Sequence, residues 1–190
     1  GDVTIEGAGR MQFMNWTNDL SGRLIVRGNV RVTSDTALGP APATLQADKI
    51  ILDGGGLENC APNYTFRIEP TRGVTLTANG GYLGVGYYNG AMDVAAPITG
   101  TGALGLNYEN SPLTLSNPAN DWTGGLVIGS AGPGANLDMG LRFLLGADEV
   151  IPDGAGKGPV LFSPFATWYN WTSLPNKTVR TILDATMNLN

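Results

Sequence analysis

From Arg72 to Ile128 the chain alternates short β-forming runs with glycine, asparagine, aspartate and proline, and no run carries the length or the 3.6-residue period of a helix. Val74, Leu76 and Ala78 alternate with Thr75 and Thr77, the pattern of a half-buried strand. Gly80-Gly81 permits a bend without a Cβ clash. Tyr82, Val85 and Tyr87 restart an apolar run, Ile98 precedes Gly100 and Gly102, and Leu113-Thr114-Leu115 forms a further short strand. Leu126-Val127-Ile128 follows a turn at Asp121-Trp122-Thr123-Gly124-Gly125. A chain of this kind folds as strands and turns.

Part of this stretch recurs earlier in the sequence. Ile5–Met11 resembles Ile98–Leu104 at an offset of 93 residues, and Asn18–Val26 resembles Asn120–Ile128 at an offset of 102. The growth in offset implies a net insertion around Tyr108 to Leu113. The blocks I-x-G-x-G and N-D-x-[ST]-G return in the same order, which points to stacked repeats of strands and turns.

The residues RGVTLTANGGYLGV, ITGTGAL and LTLSNPANDWTGGLVIGSAG resemble the autotransporter-associated β-strand repeat of bacterial exported proteins. The resemblance is best from Arg72 to Ile128, partial from Val3 to Leu57 and poor beyond Asp148. Arg23 stands where the second glycine of the T-G-G block belongs, so the earlier copy departs from the pattern. Asp35–Pro42 (DTALGPAP) carries the family's A-L-G-P element and fits one helical or 3₁₀ turn; Asp148–Pro152 is similar to its later form. The resemblance implies a right-handed parallel β-helix, a secreted or cell-surface location, and a structural or adhesive role without catalysis; the alternative is a carbohydrate-binding module or a carbohydrate-active β-helix of the polysaccharide lyase or glycosidase kind.

Composition agrees with stacked strands. Glycine is 28 of 190 residues, about twice the usual share, and charged residues are 14% against a usual ~25%. The 42% hydrophobic fraction supports a sizeable core and argues against disorder. Surface polarity must therefore rest on Thr, Asn and Ser, which suit a pleated surface. A net charge of −5 disfavours nucleic acid, and no Lys/Arg run suits anionic lipid. No apolar stretch approaches the roughly 20 residues of a membrane span, and Gly1-Asp2-Val3 begins directly in a strand-like pattern rather than a signal peptide.

The fold expected is an all-β right-handed parallel β-helix with rungs of roughly 20–25 residues; the alternative is an antiparallel β-sandwich. Residues 1–190 are read as one solenoid domain, with degenerate repeat copies at about 3–57 and 72–163 and a terminal coil or cap at 164–190. Strand pairs are expected at Val3–Phe13, broken near Gly7 and Gly9, and at Leu24–Val32, bent at Gly28-Asn29. Ile50–Leu52 is expected to end at Asp53-Gly54-Gly55-Gly56, and Tyr64–Ile68 and Val160–Phe162 read as strands. Thr178–Leu183 and Thr186–Leu189 complete the chain.

The chain has no histidine, which removes Ser-His-Asp, Cys-His and histidine-ligated zinc chemistry. Gly154-Ala155-Gly156-Lys157-Gly158 lacks the spacing of a phosphate-binding loop. Carboxylate chemistry on sugars needs two acids flanking one bond; Asp48, Asp53, Asp93 and Glu109 are the candidates, in no recognisable cluster. Asp53 and Asp153 sit beside glycines as turn residues and lack the spacing of a calcium loop. No cofactor and no metal site are expected. Cys60, the one cysteine, reads as a small, partly buried side chain. The N-x-T triplets at Asn15, Asn63, Asn170 and Asn176 read as chance products of a Thr- and Asn-rich chain.

Trp16 and Trp122 fall in or near the turn block and are expected to pack between coils. Trp168, Tyr169 and Trp171 lie beyond the last repeat block between Pro164 and Pro175, where they would close the end of the solenoid, with glycan stacking as a second role. Tyr87-Tyr88 poses the same choice. The expected partners are glycans or other cell-surface components, and a second copy through the solenoid ends.

Overall fold

The computed structural model describes residues 1–86, 90–108, 111–128 and 142–162. The backbone winds in successive coils. The first coil holds β1 (Val3–Ile5) and β2 (Arg10–Phe13). The second holds β3 (Leu24–Val26), β4 (Asn29–Val32) and a 3₁₀ turn at Asp35–Leu38. The third holds β5 (Gln46–Leu52), β6 (Gly56–Asn59) and β7 (Thr65–Ile68), and the fourth β8 (Arg72–Leu76), β9 (Gly81–Val85) and β10 (Ala91–Val94). The fifth holds β11 (Ile98–Gly100), β12 (Leu104–Tyr108) and β13 (Pro112–Leu115). The sixth holds β14 (Asp121–Trp122), β15 (Leu126–Ile128) and β16 (Arg142–Leu145), and β17 (Val160–Phe162) follows.

These strands form three faces. The first runs β1-β3-β5-β8-β11-β14, the second β2-β4-β6-β9-β12-β15-β17, and the third β7-β10-β13-β16. Every pairing among the described strands is parallel. The result is a parallel β-solenoid, and the antiparallel sandwich is excluded. Leu24 pairs with Ile50, Ile50 with Val74 and Val74 with Ile98, at spacings of 26, 24 and 24 residues.

Alternation sorts each strand into an inward and an outward set. Along the second face Val30, Leu57, Leu83, Leu106 and Ile128 are successive register partners, and all are buried. On the third face Phe66, Met92 and Leu113 form one such column and Ile68, Val94 and Leu115 another. Each side chain buried in this way stabilises the fold by about 1.5–3 kcal/mol. Between them Arg31, Glu58 and Gly84 occupy the outward register of the second face.

The R-G start of the central stretch has a structural cause. Arg72 is completely buried, and its guanidinium grips the 3₁₀ turn of the second coil. It donates from Nε to Asp35 Oδ1 (2.9 Å), from Nη2 to Asp35 Oδ2 (2.8 Å), and to the carbonyls of Leu38 (3.1 Å) and Gly39 (2.9 Å). Such a buried charge is tolerable only when fully bonded. The next residue must be glycine because a Cβ on Gly73 would lie 2.5 Å from the Ala47 carbonyl oxygen. There β5 bulges against β8, between Gln46 and Ile50. The turn is capped by Ser34, whose Oγ accepts from Ala37 N (3.2 Å).

The internal sequence matches are only partly structural. Ile5 lies two register positions from the equivalent of Ile98, since Val3, Leu24, Ile50, Val74 and Ile98 are the stacked partners. A two-residue slip preserves the inward side. The second match fails: Leu24–Val26 lies on the first face and Leu126–Ile128 on the second. Two turn assignments also change, because β6 begins at Gly56 and Asp121–Trp122 is a strand.

Candidate functional site

Three of the four candidate carboxylates are already engaged by neighbours on other coils. Asp48 receives Arg23 at 3.2 Å, and Arg23 also binds Asp2 at 2.6 Å. Asp53 accepts from Thr77 Oγ1 (2.6 Å), Asn79 Nδ2 (2.7 Å) and Arg27 Nε (2.8 Å). Those donors, the Thr77 hydroxyl foremost, hold its carboxyl down at about 2. Asp93 takes Arg67 at 2.8 Å and the Ser116 hydroxyl. Asp53 stands at the corner between the first and second faces, and Asp93 on the third. The structure therefore does not bring these three together. Glu109 lies outside the described residues, as do Trp168, Tyr169, Trp171 and Tyr87-Tyr88. Among the described residues no group of three or more His, Cys, Asp and Glu could hold a metal ion.

A second polar cluster lies on the outer surface of the second face. The Tyr82 ring covers Gly56 so closely that a Cβ there would meet ring carbons at 2.1–2.3 Å. The Tyr82 hydroxyl accepts from Asn29 Nδ2 (2.7 Å), which also reaches Glu58 Oε1 (3.2 Å). Arg31 Nε donates to Glu58 Oε2 (2.8 Å), and Glu58 is buried. Burial pushes the Tyr82 phenol up to about 12. This tightly bonded set links β4, β6 and β9, and has the character of a brace between coils.

The two tryptophans expected to pack between coils differ. Trp122 is 2% exposed, and its Nε1 donates to the Gly125 carbonyl at 2.8 Å, as packing requires. Trp16 is 52% exposed, which corrects the expectation. It follows β2 on an irregular segment, where no inward register position holds it.

Trp16 instead meets Tyr64, 48 positions away in sequence, edge to face with ring centroids 5.7 Å apart and planes at 80°. Tyr64 is 47% exposed. Between and beside them is a cleft of about 510 Å³, lined by Gln12, Thr33, Cys60 and Asn63 together with both rings. The floor is buried. Cys60 is 5% exposed, donates to Val32 O (3.3 Å) and accepts from Gln12 Nε2 (3.2 Å). Burial pushes its thiol above the usual range, which keeps it a neutral floor residue. Thr33 is 7% exposed, and its Oγ1 has no hydrogen-bond partner among the described residues. The strand assignments around Tyr64 were legible in the sequence, but the meeting of Trp16 with Tyr64 was not, because it depends on two corners stacking.

A protein similar to part of this chain is an adhesin, the BmaC autotransporter of Brucella suis biovar 1 (strain 1330). The identity is 30% over 129 residues, covering 65% of this chain and 4% of that protein. The chain thus spans a small fraction of the length of the curated relative it matches. No family profile matches the chain, and no solved structure matches it.

Proposed function

We propose that this chain is a structural and adhesive segment of an exported bacterial surface protein, with no catalysis of its own. The observation that carries the reading is its likeness to part of an autotransporter adhesin, laid on a parallel β-solenoid. Stacked coils make a stiff rod from local contacts and need no cofactor or disulfide. The charge arrangement supports this: Glu6, Arg27 and Asp53 bridge coil to coil along one corner, and Asp2, Arg23 and Asp48 along another. Carboxylates used in that way are fixed braces.

Beads coated with the purified chain should bind cultured cells or extracellular matrix, and a polysaccharide panel should yield no cleavage product. Turnover abolished by one carboxylate substitution would overturn the reading.

A further inference from the structure

We infer that the Trp16–Tyr64 cleft is a binding site for uncharged saccharide, the contact through which the adhesive role proposed above would act. The inference rests on that role, and four observations give the ligand class.

Both rings are about half exposed, whereas Trp122 and Phe66 are buried; Met11, Met14, Leu45, Val160 and Leu161 are the other exposed large apolar residues among those described. Set at 80° to one another, they offer aromatic surface in two directions. The apolar C–H faces of a sugar ring suit such surface, because an aromatic ring combines a large contact area with a fixed shape. The cleft beside them, about 510 Å³, is open to solvent.

The polar groups of the cleft are all neutral: Gln12 and Asn63 carry amides, and Thr33 and Tyr64 carry hydroxyls. Among its lining residues there is no Asp, Glu, Lys or Arg. A sialylated or sulfated glycan would find no counter-charge among the lining residues, the nearby Arg31 being already paired with Glu58, and would face a chain of net charge −5. An ammonium-bearing ligand would find no carboxylate either.

The most specific observation is Thr33. Its hydroxyl is buried and lacks a partner among the described residues, a state that costs free energy unless something completes it. A hydroxyl both donates and accepts, and a sugar hydroxyl that reaches it once the side chains covering it shift answers it in either sense. The cleft also spans three coils, drawing Gln12 and Trp16 from the first, Thr33 from the second and Asn63 and Tyr64 from the third. A ligand there touches residues that only correct stacking assembles.

The test is a glycan array followed by titration calorimetry with the hits, comparing uncharged oligosaccharides with sialylated and sulfated ones. The variants are Trp16→Ala, Tyr64→Ala and Thr33→Val. Uncharged saccharides should bind. Each ring truncation should weaken binding by about tenfold, a loss typical of a central aromatic contact, with the melting temperature lowered only slightly. Thr33→Val should weaken binding several-fold while leaving stability equal or higher, since it removes an unbonded buried hydroxyl.

The inference is overturned if no uncharged saccharide binds, if the ring variants bind as well as the parent, or if an apolar peptide binds the cleft in place of sugar. Bead adhesion that survives Trp16→Ala would remove the cleft assignment while leaving the adhesive reading standing. Polysaccharide turnover would remove the adhesive reading itself.

Discussion

Two corners of this molecule begin with nearly the same sequence, Asn18-Asp19-Leu20-Ser21-Gly22 and Asn120-Asp121-Trp122-Thr123-Gly124, and they are held in different ways. The opening asparagine does the same work in both. Asn18 Nδ2 donates to Ala37 O (2.7 Å) and Asn120 Nδ2 to Val150 O (2.8 Å), each carbonyl belonging to a later coil. Beyond that point the corners diverge. After Asn120 the chain enters β14 at once, and Trp122 turns into the core and bonds Gly125 O. After Asn18 it passes Asp19–Arg23 outside any strand, and the carbonyls of Leu20 (3.2 Å), Ser21 (2.7 Å) and Gly22 receive the ammonium of Lys49. The motif marks where a corner stands; what locks it is a local indole in one case and a lysine on β5 in the other.

The largest expected effect separates the two tryptophans. Trp122→Ala should lower stability by about 3–5 kcal/mol, the usual loss on truncating a buried large aromatic. Trp16→Ala should cost about 1 kcal/mol, most of it the edge contact with Tyr64, because half of that side chain already faces solvent. Denaturant unfolding of both variants measures this, and equal losses would mean the corners are not held differently.

The lysine lock should be weaker but local. Lys49 is 4% exposed, and burial pulls its ammonium below the usual lysine range, so part of what the three carbonyls contribute is spent on desolvation. Lys49→Met should therefore cost about 1 kcal/mol, since the carbonyls it leaves unmatched are only part-buried and water can replace the ammonium. Hydrogen exchange should rise at the backbone amides of residues 20 to 24 and stay unchanged at residues 120 to 126. Equal exchange at both corners would show that Lys49 supports the whole stack.

Much of the fold was readable because inward positions recur with period two and stop at Gly, Asn or Asp. Leu24–Val26, Thr65–Ile68, Leu113–Leu115 and the 3₁₀ turn at Asp35–Leu38 follow from that pattern and from Ser34 and Gly39 at the turn's ends. The strand at Gly56–Asn59 was hidden because three consecutive glycines read as a turn, whereas Gly56 is small to admit the Tyr82 ring from the neighbouring coil. The match of Leu24–Val26 with Leu126–Ile128 misled because similar strands serve different faces, and face membership depends on the residues spent at each corner. The cleft was least legible: Trp16, Thr33 and Tyr64 are far apart in sequence, and only coil lengths bring them together.

Acid offers the finest probe, because a third corner is held by a carboxylate while the first two are not. Between the first and second faces, Asp53 takes the Thr77 hydroxyl, the Arg27 guanidinium and the Asn79 amide. With those donors its folded-state pKa falls from 3.8 to about 2. A carboxyl depressed on folding adds stability that is complete above its unfolded pKa and declines as pH falls toward the folded one. The contribution of Asp53 should thus be full above pH ~4 and nearly gone at pH ~2. Neither the Lys49 ammonium nor the Trp122 indole titrates in that window. Asp53→Asn should flatten the fall of the unfolding midpoint between pH 4 and pH 2 relative to the parent, while Trp122→Ala and Lys49→Met lower the midpoint without changing its slope. Other carboxylates, Asp2 among them with its pKa lowered chiefly by Arg23, steepen the parent and the variant alike, so the difference between the two curves is the quantity to read. Identical slopes for parent and Asp53→Asn would mean that the Asp53 bonds do not persist in solution and that this corner, like the first, is held from elsewhere.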